Sequence, residues 1–444
     1  MIAAAPTANA AGNHLGPFPL GERVTARNAA ILLLASFSTI GLVTFLSFSN
    51  PYLFQLLGVP EERQGALAGL LVSLQEGIQI LIGGFLGAWS DRVGRRPVFV
   101  AGMLLLALGF VIYPLAPSEG WLIVFRGFYA VGSTAATVML STCIAEYIAE
   151  RSRGRWMGVV GVCNALGVVT MATSLSRLPL ALTEGGMSER AALLASFWIF
   201  GAAVLGLAAL MQWGLQAPGP ARPARRSLLA ETLEGLAIAR HNRSIAVSYL
   251  TAFASRGDLV IMTTFISLWV VQAGVAAGLT PSAATARAGM VFGIAQGVAL
   301  LWSLVMGILL DKLPRLTAMR IGFGLSVAGY ATLGLVDDPL GAGMIPAAMA
   351  AGIGEASAIV CSGVLIGQEA PRDKRGVVIG VFGLAGSVGM ICLTSLGGLL
   401  FDRFAGGAPF LMMAVVNGLA FGALLTLGAR SHSAGTGSPG RSAS

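Results

Sequence analysis

Charge is what this sequence has least of. Only 11% of its 444 residues are Asp, Glu, Lys or Arg, against roughly 25% in an ordinary soluble domain. Hydrophobic residues make up 55%, and the mean hydropathy is +0.80. That balance excludes a large soluble domain. Histidine is nearly absent: His14, His241 and His432 fall in tails or a connecting segment, which excludes a histidine proton relay inside a membrane. The four cysteines, Cys143, Cys163, Cys361 and Cys392, sit in or at the ends of apolar runs. They read as small packing residues, without a disulfide framework or metal-ligand spacing. No glycine-rich loop ends in Gly-Lys-Ser/Thr, so nucleotide hydrolysis is not expected to supply energy. No nucleophile, metal or cofactor constellation supports an enzyme, and no cofactor is expected. Residues 1–25 are rich in Ala, Gly and Pro and lack a basic stretch before an apolar core. They read as a flexible tail rather than a cleaved leader.

Long continuous apolar runs fill the rest. A helix crosses the hydrocarbon core in about 20 residues, and the chain has room for twelve such spans. They are expected at 28–50, 66–90, 97–116, 121–145, 156–176 and 192–214, then at 244–273, 287–310, 318–336, 341–368, 376–400 and 408–428. A β-barrel is excluded, because its strands alternate in polarity over about 10 residues. The expected fold is an all-α integral membrane protein: two six-helix bundles, 26–214 and 244–430, joined by a linker at 215–243 and ending in a flexible tail at 431–444. The linker carries Pro218, Pro220, Pro223 and several arginines, then a moderately amphipathic piece from Leu228 to Ala239. Sixty glycines suit close helix packing. One run of them, Gly380, Gly383, Gly386 and Gly389, reads as a stripe on which one half slides over the other.

The net charge of +8 does not point to nucleic acid, because the basic residues alternate between loops. Of the 28, 21 collect on one side and 5 on the other, with Arg126 and Arg256 inside spans. The positive-inside rule then puts both termini and the linker in the cytoplasm, and the protein in the cell membrane. The halves also repeat. Gly87-x-x-x-Asp91-Arg92 is echoed 220 residues later by Gly307-x-x-x-Asp311-Lys312, and Arg153-Gly154 is echoed 222 residues later by Arg375-Gly376. Glu76 maps onto Gln296 and Gly132 onto Gly354 at the same offsets. Two parallel repeats joined by a linker is a transporter plan, with the site between the halves near the midplane.

The connector Gly87-x-x-x-Asp91-Arg92-x-Gly94-Arg95-Arg96 resembles the signature of the major facilitator superfamily. The resemblance covers about residues 25–430. The second copy is degenerate, with Pro314 at the glycine position. Arg126, followed by Ala130 and Gly132, is similar to the arginine-glycine motif of the fourth span. Glu146 with Arg153, and Gln368 with Arg375, resemble the paired charges of the cytoplasmic gates. The fifth span is glycine-spaced but lacks the Gly-Pro motif usual in drug/proton antiporters. What the resemblance implies is a latch: Asp91 meets the positive N-terminal end of the eleventh helix when the cavity faces outward, and lets go when it faces inward. The competing role for the arginines is topology alone.

Charges inside the bilayer cost about 2.5–3.5 kcal/mol on insertion scales, so each needs a partner or water. Glu76, Arg126, Arg256, Asp258 and Glu355 are the five. Two residues apart, Arg256 and Asp258 point to opposite sides of a helix. The resemblance places the first, fourth, seventh and tenth spans around a cavity, hence Arg126, Arg256, Asp258 and Glu355 on cavity helices. Similar depth suggests an Arg256–Glu355 ion pair. Burial favours the neutral acid and a nearby arginine favours the carboxylate, so an acid whose surroundings alternate carries protons. Asp258 and Glu355 are the first candidates and Glu76 the third, with fixed structural pairs or hydrogen bonds as the competing reading. Phe37 and Asn164 are candidate cavity contacts. For Phe37, Phe45 and Phe48 ordinary packing is the stronger reading.

The expected function is alternating-access transport of a small solute, with protons as coupling ion and proton-coupled efflux of amphipathic or drug-like compounds as the leading mode. The alternatives are proton-coupled uptake of a small organic anion, a uniporter, or a non-transporting membrane sensor or scaffold. Its expected surroundings are the lipid bilayer, without nucleic acid, as a monomer.

Overall fold

The computed structural model describes residues 14–16, 18–20, 24–148, 153–216, 228–371 and 374–433. It is helical almost throughout, as a bilayer requires of backbone that has no water to bond. The first half comprises α1 (Ala26–Phe48), α2 (Asn50–Leu57), α3 (Glu61–Val93), α4 (Arg95–Ile112), α5 (Glu119–Glu146), α6 (Arg153–Thr173), α7 (Leu178–Glu184) and α8 (Glu189–Gly214). A linker helix, α9 (Leu228–His241), leads to the second half. That half comprises α10 (Arg243–Ala276), α11 (Pro281–Lys312), α12 (Arg315–Gly334), α13 (Met344–Ser362), α14 (Ile366–Glu369), α15 (Arg375–Arg403) and α16 (Ala408–Ser433). Eleven spans among the described residues are long and apolar enough to cross a membrane. The twelfth, α12, fills the matching place in the second bundle and packs between α13 and α16.

Local sequence explains the breaks. Pro51 begins α2 and cannot donate a backbone bond, so the first span breaks between Phe48 and Asn50 and turns Asn50 into the bundle. Gly94 ends α3 with φ +98°, a backbone region closed to other residues, and lets α4 start at once. Residues 14–20 were expected in a flexible tail. The structure instead pairs His14–Leu15 with Phe18–Pro19 as a short hairpin, β1 and β2. Phe18 meets buried Trp156 edge-on at 5.8 Å and Leu20 bridges to Ile148. Burying these apolar side chains offsets the entropy of ordering the segment.

Among the described residues the halves meet chiefly along α3 and α15, and the close approaches gather on one face and in the middle. There Gly69 lies so close to α15 that a Cβ would collide with the Thr394 carbonyl oxygen. Gly398 is as tight against the Gly65 carbonyl. Ser267 donates to the Phe48 carbonyl at 2.5 Å, Gln272 to Gln64 at 3.0 Å, and the Ser282 hydroxyl to Glu189 at 2.8 Å. Toward the other face the helices part. Among the described residues, Gly77, Gly87, Gly154, Gly158, Gly161, Gly376, Gly380 and Gly383 have nothing within 4 Å of a would-be Cβ. The face that carries these ties is closed; on the face that carries the Gly87–Arg96 connector, the open face, no hydrogen bond joins the halves among the described residues.

The glycine run on α15 does not act as expected. Gly386 and Gly389 pack on α10 of their own half, against Arg256 and the Phe253 carbonyl, while Gly380 and Gly383 face open space. The close approach between halves belongs to Gly65, Gly69 and Gly398 instead.

Candidate substrate cavity and gates

Arg256 is the one intramembrane charge of the five that is exposed. It sits near the middle of α10 between buried Ala254, Ser255, Gly257 and Asp258. Its stem lies on α15 at Gly386, and it is in electrostatic reach of Glu76 on α3 of the other half. Arg256 therefore stands between the halves, at the head of the open cavity. Glu76 is 6% exposed, faces Ser387 of α15, and keeps one carboxylate oxygen without a hydrogen-bond partner.

The other charges lie behind the cavity wall. Asp258, fully buried, points away from Arg256 into the second bundle. The Asn417 amide donates to it at 2.7 Å and the Ser326 hydroxyl at 3.4 Å, while Tyr330 donates to its backbone carbonyl at 3.0 Å. Glu355, 2% exposed, accepts from Gln296 of α11 at 2.8 Å. It lies in electrostatic reach of Asp258. The expected Arg256–Glu355 pair is absent among the described residues. Similar depth on two helices does not fix azimuth, and Glu355 turns into its own bundle. Arg126, also fully buried, donates to Ser47 at 2.8 Å and to the Leu71 carbonyl at 3.3 Å, with Tyr129 beneath its guanidinium at 5.5 Å. Cavity-helix membership thus brings only Arg256 to the cavity, and Glu76, from a span outside that set, faces it.

The remaining candidates have packing partners. Asn164 accepts from Ser36 at 2.5 Å and ties α6 to α1. Phe37 is half-buried at the same crossing, with its carbonyl against Gly167. Phe45 packs with Phe110, Phe197 and Phe200, and Phe48 with Phe292 of the other half.

At the connector, Arg95 bonds Asp91 at 2.5 Å and Glu146 at 3.0 Å, and donates to Ser90, fastening the end of α3 to the end of α5. Arg92 is exposed and Arg96 half-buried. In the second copy Asp311 is exposed, and Arg375 donates to the Gly367 carbonyl at 2.8 Å. The side chains of Arg153 and Gln368 lie outside the described residues. On the closed face the Asp402 carboxylate accepts from the Gly65 and Ala66 amides, each at 2.7 Å. The sequence reading missed Asp402, whose signal was an acid at the far end of α15, opposite in direction to Asp91.

Two packed helical bundles joined by a linker helix define a two-bundle membrane transporter fold. The Major Facilitator Superfamily model matches residues 31–347 and 286–443, and the chain belongs to that family. It is 28% identical over 400 residues to magnetosome protein MamH of Paramagnetospirillum magneticum, covering 87% of this chain and 89% of that one. It is 32% identical over 144 residues to the class E tetracycline resistance protein of Escherichia coli, covering 32% of each. Its fold matches the nucleoside transporter NupG with a TM-score of 0.70 at 15% identity, over 90% of this chain and 98% of that one.

Proposed function

We propose that the protein is a proton-coupled secondary transporter of the cell membrane, with both termini cytoplasmic, that moves a small solute by alternating access. The observation that carries this reading is that Glu76 of α3 and Arg256 of α10, from opposite halves, both lie against α15, at Ser387 and Gly386, in electrostatic reach of each other. A carboxylate there holds the guanidinium by charge. A proton arriving on Glu76 releases Arg256, so proton binding and solute binding act on one pair. Asp258 and Glu355, buried without a cation bonded to them among the described residues, are further proton carriers within the second bundle. The open face is cytoplasmic, as the arginine distribution requires. Asp91, held by Arg95 in this conformation, is the latch that engages α15 when that face closes.

The leading mode is efflux of amphipathic compounds, supported by the stretch shared with the class E tetracycline resistance protein. A specific observation favours a second mode, symport of a small organic anion. The exposed charge in the cavity is a guanidinium, and an anionic solute competes with Glu76 for it. Protonating Glu76 then promotes anion binding, and the two travel together.

Proteoliposomes with an imposed pH gradient test both. One arm carries a fluorescent amphipathic cation and the other a radiolabelled dicarboxylate. Gradient-driven flux that Glu76→Gln uncouples supports the reading, and the responding arm gives the mode. Flux unchanged by Glu76→Gln, Asp258→Asn and Glu355→Gln would remove proton coupling through these acids.

A further inference from the structure

Behind the cavity wall of the first half, Arg126 has a surrounding that its hydrogen bonds do not complete. Among the described residues its Nη1 is buried without a hydrogen-bond partner. So are the Asn50 amide nitrogen and the Tyr129 hydroxyl. Arg126 and Tyr129 are 0% exposed and Asn50 is 1% exposed. These groups are neighbours. Tyr129 lies under the guanidinium, Tyr113 reaches the guanidinium and donates to the Asn50 carbonyl oxygen at 2.7 Å, and the Tyr113 and Tyr129 hydroxyls are in electrostatic reach of each other. Two of the three orphans can only donate, so an acceptor is missing.

Charge selects the acceptor. Arginine keeps its proton in proteins, and among the described residues Arg126 bonds neutral groups alone, hydroxyls and a backbone carbonyl. The carboxylate in electrostatic reach is Glu76, which also serves Arg256. Two guanidinium groups share one acid. A buried charge without a counter-charge is strongly disfavoured, and a water molecule would satisfy donors without balancing it. We propose that Arg126, Tyr129 and Asn50 bind a small monovalent inorganic anion, of chloride's size, as a fixed constituent of the first bundle. The anion neutralises Arg126, frees Glu76 to answer Arg256 alone, and ties α2 to α5 at the break in the first span.

The test uses the full-length protein in lipid nanodiscs, equilibrated in gluconate buffer and titrated with chloride or bromide at constant ionic strength, with thermal unfolding as readout. The expected result is a saturable rise in the midpoint with either halide and none with gluconate. Tyr129→Phe keeps the ring and removes one donor, so half-saturating chloride should rise about tenfold, as loss of one bond to a charged group implies. Arg256→Gln should retain a saturable halide response, with a higher half-saturation because Glu76 then answers Arg126 alone. A wild-type midpoint indifferent to halide means the groups hold only water and overturns the proposal. Half-saturation unmoved by Tyr129→Phe, or abolished by Arg256→Gln, places the anion elsewhere and also overturns it. Bromide-soaked crystals of the wild type provide an independent measurement: an anomalous peak at Arg126 supports the site, and its absence there refutes it.

Discussion

Asp402, in the last turn of α15, accepts from the backbone amides of Gly65 and Ala66 in the first turns of α3, at 2.7 Å each. The relationship has a mirror. Asp91 lies in the last turn of α3, and α15 begins at Arg375 on the same, open face. The two helices run antiparallel, so each carries an acid at its far end facing the other's beginning. Asp402 is engaged where the halves touch, and Asp91 is bound to Arg95 where they do not.

Asp402→Asn should therefore destabilise the closed face. Charge-assisted hydrogen bonds are worth about 1.5–3 kcal/mol each, and losing one equivalent shifts the conformational balance by roughly ten- to a hundredfold. Spin labels at Glu62 and Phe404, in a cysteine-free background, should show a longer distance population. Asp91→Asn should not lengthen that distance. Identical responses of the two variants would mean the acids do not act on opposite faces.

Glycines separate the two faces by sterics alone. A side chain at Gly398 meets the Gly65 carbonyl at once, whereas one at Gly380 meets nothing in this conformation. Gly398→Leu should hold the closed face apart, while Gly380→Leu should leave the observed conformation intact and obstruct closure of the open face. Both variants should lose most transport. Maleimide labelling at a cysteine in place of Gly158 should fall for Gly398→Leu and persist for Gly380→Leu. The reverse pattern would contradict the assignment of which face is closed.

Much of this fold is written in one-dimensional features. Apolar runs of bilayer length mark the helices, the 220-residue offset marks the two halves, and Gly94 amid Asp91, Arg92, Arg95 and Arg96 marks a turn that favours glycine. The site is less legible because a helix position has an azimuth as well as a depth. Glu355 and Arg256 share a depth, yet Glu355 turns to Gln296. Asp258 is on the same helix as Arg256 and faces the opposite way. In the sequence Asn50, Tyr113 and Asn417 are ordinary polar residues in apolar stretches. Their buried bonds exist only once three or four helices are assembled.

The partner of Arg256 can be found by a double-mutant cycle. Arg256→Gln leaves Glu76 without its counter-charge across the halves, and Glu76→Gln does the converse. The double variant should recover part of the loss in unfolding temperature or flux, a non-additivity that residues acting on one another show. Arg256→Gln with Glu355→Gln should be additive, since Glu355 bonds Gln296 in its own bundle. A larger interaction with Glu355 than with Glu76 would restore the pairing that depth alone suggests.

Asp258 provides the sharpest contrast between a buried network and a cavity residue. Asn417 donates one amide hydrogen to Asp258 at 2.7 Å and another to the Met413 carbonyl at 3.0 Å. In Asp258→Asn, an amide must present its oxygen to Asn417 and bury its own nitrogen among groups arranged to donate, Ser326 included. An unsatisfied buried donor costs about 1–3 kcal/mol, so the unfolding temperature should fall measurably. Exchanging the partners, Asp258→Asn with Asn417→Asp, restores one acid and one amide to the same contact and should return part of that stability. Accessibility of a cysteine at Arg256, exposed on the opposite side of α10, should remain as in the parent protein with an intact Asp258. If Asp258→Asn cost no stability but changed labelling at position 256, Asp258 would belong to the cavity and the buried network would not be its main role.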